Sequence, residues 1–88
     1  MYTVYSKPNC PFCDQAKKLL ASCGLAYEEI ILDVGQPKLA EKTYISRDDL
    51  INLIPMARTV PQIILSTDTT SIVIGGYDDL KRRLQLAA

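Results

Sequence analysis

The chain of 88 residues contains no histidine, no tryptophan and a single phenylalanine. Histidine is the side chain that most readily serves as a base, a metal ligand or a pH switch near neutrality. Its absence excludes a Cys-His dyad, a Ser-His-Asp triad and a histidine-ligated metal within this chain. Any chemistry here must therefore use thiols, carboxylates, tyrosines, lysines or arginines.

Net charge is also absent, because ten Lys and Arg residues balance ten Asp and Glu residues. The chain therefore has no overall positive field to attract nucleic acid or a membrane surface. No apolar run approaches the roughly 20 residues that cross a bilayer, and residues 1–5 lack the pattern of a signal peptide. Three cysteines are few for a secreted disulfide scaffold. We expect a soluble cytoplasmic protein that binds neither nucleic acid nor membrane.

The composition favours one compact domain over residues 1–88, because 48% of the residues are apolar and the length allows a single core. Runs of β-forming residues predict strands at 2–6, 26–32, 62–65 and 71–74. Helical periodicity and caps predict helices between Pro11 and Gly24, after Ser46 and from Asp78, and a short helical turn at 38–42. The order β-α-β-α-β-β-α indicates an α/β fold, a four-stranded mixed sheet flanked by helices.

The apolar positions of each helix predict the face that packs on the sheet. In the first helix these positions are Phe12, Ala16, Leu19, Leu20 and Cys23. In the second, which Pro55 ends or bends, they are Leu50, Leu53, Ile54 and Ala57. In the last they are Leu80, Leu84 and Ala87. We expect Cys23 to be a small buried core residue, and a regulatory thiol near the helix end is the alternative.

The spacing of Cys10 and Cys13 is typical of a redox pair or of half a metal site. A structural zinc site needs four nitrogen or sulfur ligands, and three cysteines without histidine do not supply them. Cys10 directly precedes a predicted helix, so free N–H groups, the positive helix end and Lys7 would all favour its thiolate. We predict that Cys10 attacks and that Cys13, one helical turn on, resolves. Two neighbouring structural thiols are the alternative.

Three motifs together resemble the glutaredoxins of the thioredoxin superfamily: Cys10-Pro11-Phe12-Cys13, Thr59-Val60-Pro61 and Gly75-Gly76-Tyr77-Asp78-Asp79-Leu80. They come in the order of that family and span almost the whole chain. The chain looks most similar to the glutaredoxin-like thioredoxins of tailed bacteriophages. Thioredoxin itself is less similar because its tryptophan-flanked Cys-Gly-Pro-Cys is missing. NrdH-type redoxins are also less similar because their tryptophan-containing C-terminal motif is missing.

This resemblance implies a thioredoxin-like fold, a cis Val60-Pro61 bond, no bound cofactor and glutathione as a co-substrate. The expected glutathione-binding residues are Lys7, Phe12, Arg58, Thr59, Val60, Pro61, Gly76, Tyr77 and Asp78. Within this set, Lys7 and Arg58 would meet the glycyl carboxylate, unless they are solvated surface charges. Tyr77 and Asp78 would hold the γ-glutamyl end, unless the acids only cap the last helix.

At residue 12 the family usually carries tyrosine, so Phe12 lacks a hydroxyl that could bind substrate. The helical periodicity alone places Phe12 in the core, whereas the resemblance places it at the edge of the substrate groove, which we favour.

The implied activity is the reduction of protein disulfides and glutathione mixed disulfides through Cys10 and Cys13. Implied partners are glutathione, disulfide-containing or glutathionylated proteins, thioredoxin reductase and ribonucleotide reductase. We expect a monomer in the cytoplasm, which would be the host cytoplasm if a phage encodes it. The alternatives are a dimer that bridges an iron–sulfur cluster through Cys10 and glutathione, and a redox-inert interaction domain. Pro11 and Cys13 favour disulfide chemistry over the cluster.

Overall fold

The computed structural model describes residues 1–86, in which strands and helices follow one another closely. The elements in chain order are β1 (Tyr2–Ser6), α1 (Pro11–Ser22), β2 (Tyr27–Leu32), β3 (Thr43–Ile45), α2 (Arg47–Leu53), β4 (Gln62–Ser66), β5 (Ser71–Gly75) and α3 (Tyr77–Leu86). The longest helix, α1, has 12 residues, and no helix within residues 1–86 is long and apolar enough to cross a membrane.

All five strands form one mixed sheet in the order β3-β2-β1-β4-β5. Strand β1 pairs in parallel with β2 and antiparallel with β4, and β4 and β5 form an antiparallel hairpin. The parallel pair is connected through α1, which is the predicted β-α-β unit. Strand β1 is therefore central, and the loop that follows it emerges from the middle of the sheet.

The prediction of four strands was wrong by one, because β3 adds a fifth strand parallel to the end of β2. Residues 43–45 are β-forming, but three residues are too few to show an alternating pattern. The predicted helical turn at 38–42 is only a turn, in which the Lys42 N–H donates to the Leu39 carbonyl at 3.1 Å. The Leu39 N–H in turn donates to the Tyr44 hydroxyl at 2.8 Å, which ties this turn to β3.

Neighbouring residues of the central strands point to opposite faces of the sheet and build two separate cores. The core under α1 and α3 contains Val4, Ala16, Leu20, Ile63 and Leu80. The core under α2 contains Tyr5, Leu50, Ile54 and Ile64. The sheet is thus covered on both faces, and all three predicted helices bury residues of their predicted apolar faces.

Two inward predictions were wrong at the helix ends. Cys23 is exposed because α1 stops at Ser22 and nothing covers the capping residue. Leu53 is 50% exposed because α2 has only seven residues and ends there, two residues before Pro55. Phe12 is exposed, which disagrees with the helical periodicity but agrees with the placement outside the core that we favour, and Ala87 lies outside the described residues. The predicted caps are confirmed, since the Ser46 hydroxyl accepts from the Asp49 N–H at 3.1 Å and Gly24 has φ +71°.

A partly buried carboxylate, that of Glu29 in β2, contacts both elements that flank the first loop. Glu29 accepts hydrogen bonds from the Ser6 hydroxyl and from the Lys17 ammonium, each at 2.7 Å. Ser6 is the last residue of β1 and is 1% exposed, whereas Lys17 lies in α1. Glu29 therefore holds both ends of the segment that contains Cys10 and Cys13, at Ser6 before it and at Lys17 after it.

We predict that Glu29→Gln removes part of the acid sensitivity of folding. Burial raises the pKa of Glu29, but hydrogen bonds from Lys17 and Ser6 outweigh it and hold the pKa below its ordinary 4.5. The ionised Glu29 and its two hydrogen-bond donors therefore stabilise the fold above about pH 4.5. This stability is lost as the pH falls through the lowered pKa of Glu29.

At pH 7 the free energy of unfolding should fall by about 1–2 kcal/mol in Glu29→Gln. Urea denaturation between pH 3 and pH 7 measures both effects. The matched control is Glu28→Gln at the exposed neighbouring position. Identical pH profiles for the two variants would contradict the prediction.

Candidate active site

Cys10 and Cys13 are joined by a disulfide at the junction between the central strand and α1. Cys10 has extended backbone angles, φ −119° and ψ 98°, and is the N-cap of α1, with Pro11 as the first helical residue. Cys13 lies in the first turn, with its Cα 5.2 Å from that of Cys10. The helix start therefore brings the two sulfurs within bonding distance.

The Cys10 sulfur takes the place that a serine or aspartate oxygen usually takes at a helix N-terminus. It accepts a hydrogen bond from the Cys13 N–H at 3.2 Å, while the Cys10 carbonyl accepts from the Asp14 N–H at 3.1 Å. After reduction the same N–H group and the helix dipole favour negative charge on this sulfur. Cys10 is 7% exposed and Cys13 only 1%, so Cys10 is the sulfur that a substrate can reach.

The peptide bond between Val60 and Pro61 is cis, as the resemblance implied. The Val60 carbonyl oxygen lies 3.8 Å from the Cys10 sulfur. This is a van der Waals contact, because a sulfur in a disulfide carries no proton to donate. The backbone of the β4 entry segment thus faces the reactive sulfur directly.

On one side of Val60 lies a groove of about 380 Å³, which we name the α3 groove. It is lined by Phe12, Thr59, Val60, Pro61, Gly76, Tyr77, Asp78 and Asp79. Phe12 is 57% exposed and its ring lies 6.1 Å from that of Tyr77, so it forms the edge of this groove and not part of the core. Seven of the nine expected glutathione-binding residues line this groove, and the two that do not are Lys7 and Arg58.

Asp79, which the sequence did not single out for the site, caps α3. Its carboxylate accepts a hydrogen bond from the Gly76 N–H at 3.1 Å. Gly75 has φ +116°, and a Cβ at this position would overlap the Asp79 carboxylate. The backbone turn into α3 therefore requires glycine at residue 75, and Asp78 is left exposed in the groove lining.

On the other side of Val60 lies a second cleft of about 240 Å³, which we name the cationic cleft. Lys7, Arg47 and Arg58 line it, and Thr59 and Val60 line both depressions. The expected cations Lys7 and Arg58 are thus separated from the α3 groove but joined to it through the Val60 backbone. Arg47 was missed, although the Ser46 cap fixes it as the first residue of α2.

The sheet order, the flanking helices and the bonded cysteine pair at a helix start define a class: a thiol-disulfide oxidoreductase with a thioredoxin-like fold. The glutaredoxin family model matches residues 2–68. The chain therefore belongs to the glutaredoxin family.

Two of the three curated relatives described here are named as a glutaredoxin or a glutaredoxin-like protein. Glutaredoxin 3 of Escherichia coli K12 is 35% identical over 77 residues, which cover 88% of this chain and 77% of the relative. The hybrid peroxiredoxin hyPrx5 of Haemophilus influenzae is 36% identical over 80 residues, and this chain spans 91% of its own length but only 27% of that relative. The glutaredoxin-like protein NrdH of Lactococcus lactis is 48% identical over 42 residues, which cover 48% of this chain and 57% of that protein.

Solved structures agree on the fold. The solution structure of glutaredoxin from Brucella melitensis has a TM-score of 0.65 and 29% identity, over 97% of this chain and 78% of that one. Glutaredoxin 1 from Francisella tularensis, complexed with cacodylate, has a TM-score of 0.66 and 23% identity, over 98% and 93%. The predicted thioredoxin-like fold class is therefore confirmed.

We predict that Gly75→Ala destabilises the protein more than Gly24→Ala. Both glycines have positive φ, which costs an alanine about 1–2 kcal/mol, but an added Cβ meets nothing within 4 Å at Gly24. At Gly75 the Asp79 carboxylate must also move and release the α3 cap. Urea denaturation of both variants measures the difference, and equal losses would show that the overlap has no consequence.

Proposed function

We propose that the protein reduces protein disulfides and glutathione mixed disulfides through Cys10 and Cys13, with electrons from glutathione or from a flavin-dependent thioredoxin reductase. The observation that carries this proposal is the environment of Cys10. Cys10 is the more exposed residue of the pair, and its sulfur receives an N–H hydrogen bond at the helix start and lies close to the Val60 backbone.

In the dithiol route the Cys10 thiolate attacks one sulfur of a substrate disulfide. The other substrate sulfur leaves as a thiolate and takes up a proton, and the first stays bound to Cys10. Cys13 then loses its proton and attacks the Cys10 sulfur, which releases the second substrate thiol. The two electrons come from the dithiol, which ends as the Cys10–Cys13 disulfide seen in the structure.

In the monothiol route Cys10 attacks the glutathione sulfur of a glutathionylated protein and releases the protein as a thiol. A second glutathione thiolate attacks the Cys10–glutathione bond, which gives glutathione disulfide and restores the Cys10 thiolate. Cys13 takes no part in this route, and its 1% exposure keeps it out of contact with incoming glutathione.

The two depressions on either side of Val60 support a binding mode for glutathione. Its cysteinyl backbone would pair with Val60 as an added strand does. Its γ-glutamyl end would lie in the α3 groove, where Gly76 and Tyr77 begin a helix and Asp78 can meet the α-amine. Its glycyl carboxylate would meet Lys7 and Arg58 in the cationic cleft. Phe12, Thr59 and Pro61 would form the walls.

A ribonucleotide reductase is the protein partner that we propose for the dithiol route. The stretch similar to an NrdH protein favours it, although that match covers 48% of this chain. Action as a monomer in the cytoplasm, and a bacteriophage origin, stay predictions.

The cysteine roles predict opposite outcomes for two variants. Cys10→Ser should abolish both disulfide reduction and deglutathionylation, because it removes the nucleophile. Cys13→Ser should lose the reduction of protein disulfides but keep deglutathionylation within about twofold, because only the dithiol route needs a resolving thiol. Cys23→Ser is the matched control and should keep both activities.

The assay supplies NADPH with either glutathione and glutathione reductase or thioredoxin reductase, and it follows NADPH oxidation with insulin and with a glutathionylated protein. Turnover with at least one of the two donors is expected. Full activity of Cys10→Ser, or no turnover by the wild type with either donor, would contradict the proposed function.

A further inference from the structure

The cationic cleft concentrates positive charge in a chain whose net charge is zero. Its lining contains Lys7, Arg47 and Arg58 but no carboxylate. Within residues 1–86 none of these three side chains makes an ion pair within 4.0 Å. The ion pairs that do form lie in α1, in α3 and in the β2–β3 segment. Three cations that line one cleft, with no carboxylate in its lining, favour an anionic occupant.

The floor of the cleft is apolar. Leu50 is buried beneath it, Ala57 is half-buried, and Ile51 is 39% exposed along it. Val34, which also lines the cleft, is 58% exposed. The cleft therefore offers an apolar surface together with its cations, which suits a peptide with both acidic and apolar side chains better than a small anion.

The cleft is continuous with the reactive sulfur. Val60 lines it, and the Val60 carbonyl lies 3.8 Å from the Cys10 sulfur. A peptide whose cysteine is bonded to Cys10 would run along the Val60 backbone, as proposed for the cysteinyl part of glutathione. An extended peptide advances about 3.3 Å per residue, so the first few residues beyond its cysteine enter the cleft.

Glutathione leaves most of this cleft unused. It brings one carboxylate to this end, on a glycine that has no side chain to cover the apolar floor. Lys7 and Arg58 suffice for that carboxylate, and Arg47 with the Ile51 surface has no partner in glutathione.

We propose that the cationic cleft selects protein disulfides that carry acidic and apolar side chains directly C-terminal to the cysteine that bonds to Cys10. The direction rests on the proposed function, in which the glycyl end, the C-terminal end of glutathione, lies toward Lys7 and Arg58. The proposed substrates are therefore protein segments in which acidic and apolar residues follow the cysteine and do not precede it.

The test uses two nine-residue peptides of identical composition, each linked to a second copy of itself through its single cysteine. One carries Asp-Leu-Glu directly after the cysteine and the other carries it directly before. Pre-reduced protein, freed of reductant, converts each peptide dimer into two thiols and becomes the Cys10–Cys13 disulfide. Acid quenching and chromatography give the second-order rate constants, and glutathione disulfide is measured in parallel.

At 0.05 M salt the peptide with acids after the cysteine should react about fivefold faster than the other peptide. A rate difference of this size is what a few exposed ion pairs provide. The preference should disappear at 1 M salt, where the screening length falls to about 3 Å. Arg47→Gln should remove at least half of the preference and leave glutathione disulfide reduction unchanged. The matched control is Lys18→Gln, which removes the same charge from the exposed side of α1 and should leave the preference intact.

Equal rates for the two peptides, with glutathione disulfide still reduced, would overturn the proposal and leave the proposed function standing. If Arg47→Gln lowers the rate constants for the peptides and for glutathione disulfide equally, Arg47 belongs to the glutathione site. That result would also overturn the proposal. Failure to reduce any of the three substrates would overturn the proposed function together with it.

Discussion

The site depends on one hydrogen bond, from the Cys13 N–H to the sulfur of Cys10. A helix start leaves N–H groups without partners, and here a sulfur takes the position of the usual oxygen cap. The chain has no histidine that could take the proton from Cys10. The helix start can favour the thiolate form of Cys10 instead. The same turn of helix keeps Cys13 buried yet within bonding distance, so one local conformation serves both cysteines.

The rest of the fold holds that helix end in place. Glu29 connects β2 to Ser6 before the reactive loop and to Lys17 after it. The loop after the central strand β1 lies at the middle of the sheet, where the neighbouring strand β4 begins directly after Val60-Pro61. The Val60 backbone therefore faces Cys10, and the two depressions beside it arise from the elements on either side, α3 and α2.

Much of this could be predicted from the sequence because it is local. The cysteine spacing, the Ser46 cap and the run of β-forming residues in β1 each depend only on neighbouring residues. What was missed depends on contacts distant in sequence or on helix ends. Strand β3 is too short to show a period and forms only against β2, and Cys23 is exposed because α1 ends one residue earlier. Arg47 joins Lys7 only through the fold, which no spacing reveals.

The most direct test of the account is the pH dependence of the Cys10 thiol in a variant that carries both Cys13→Ser and Cys23→Ser, which leaves one thiol. The serine at residue 13 keeps the backbone N–H that faces the Cys10 sulfur. The rate of alkylation by iodoacetamide, measured from pH 3 to pH 10, should reach half its maximum well below about 8.5, the ordinary pKa of a cysteine. A midpoint at or above that value would contradict the claim that the start of α1 activates Cys10.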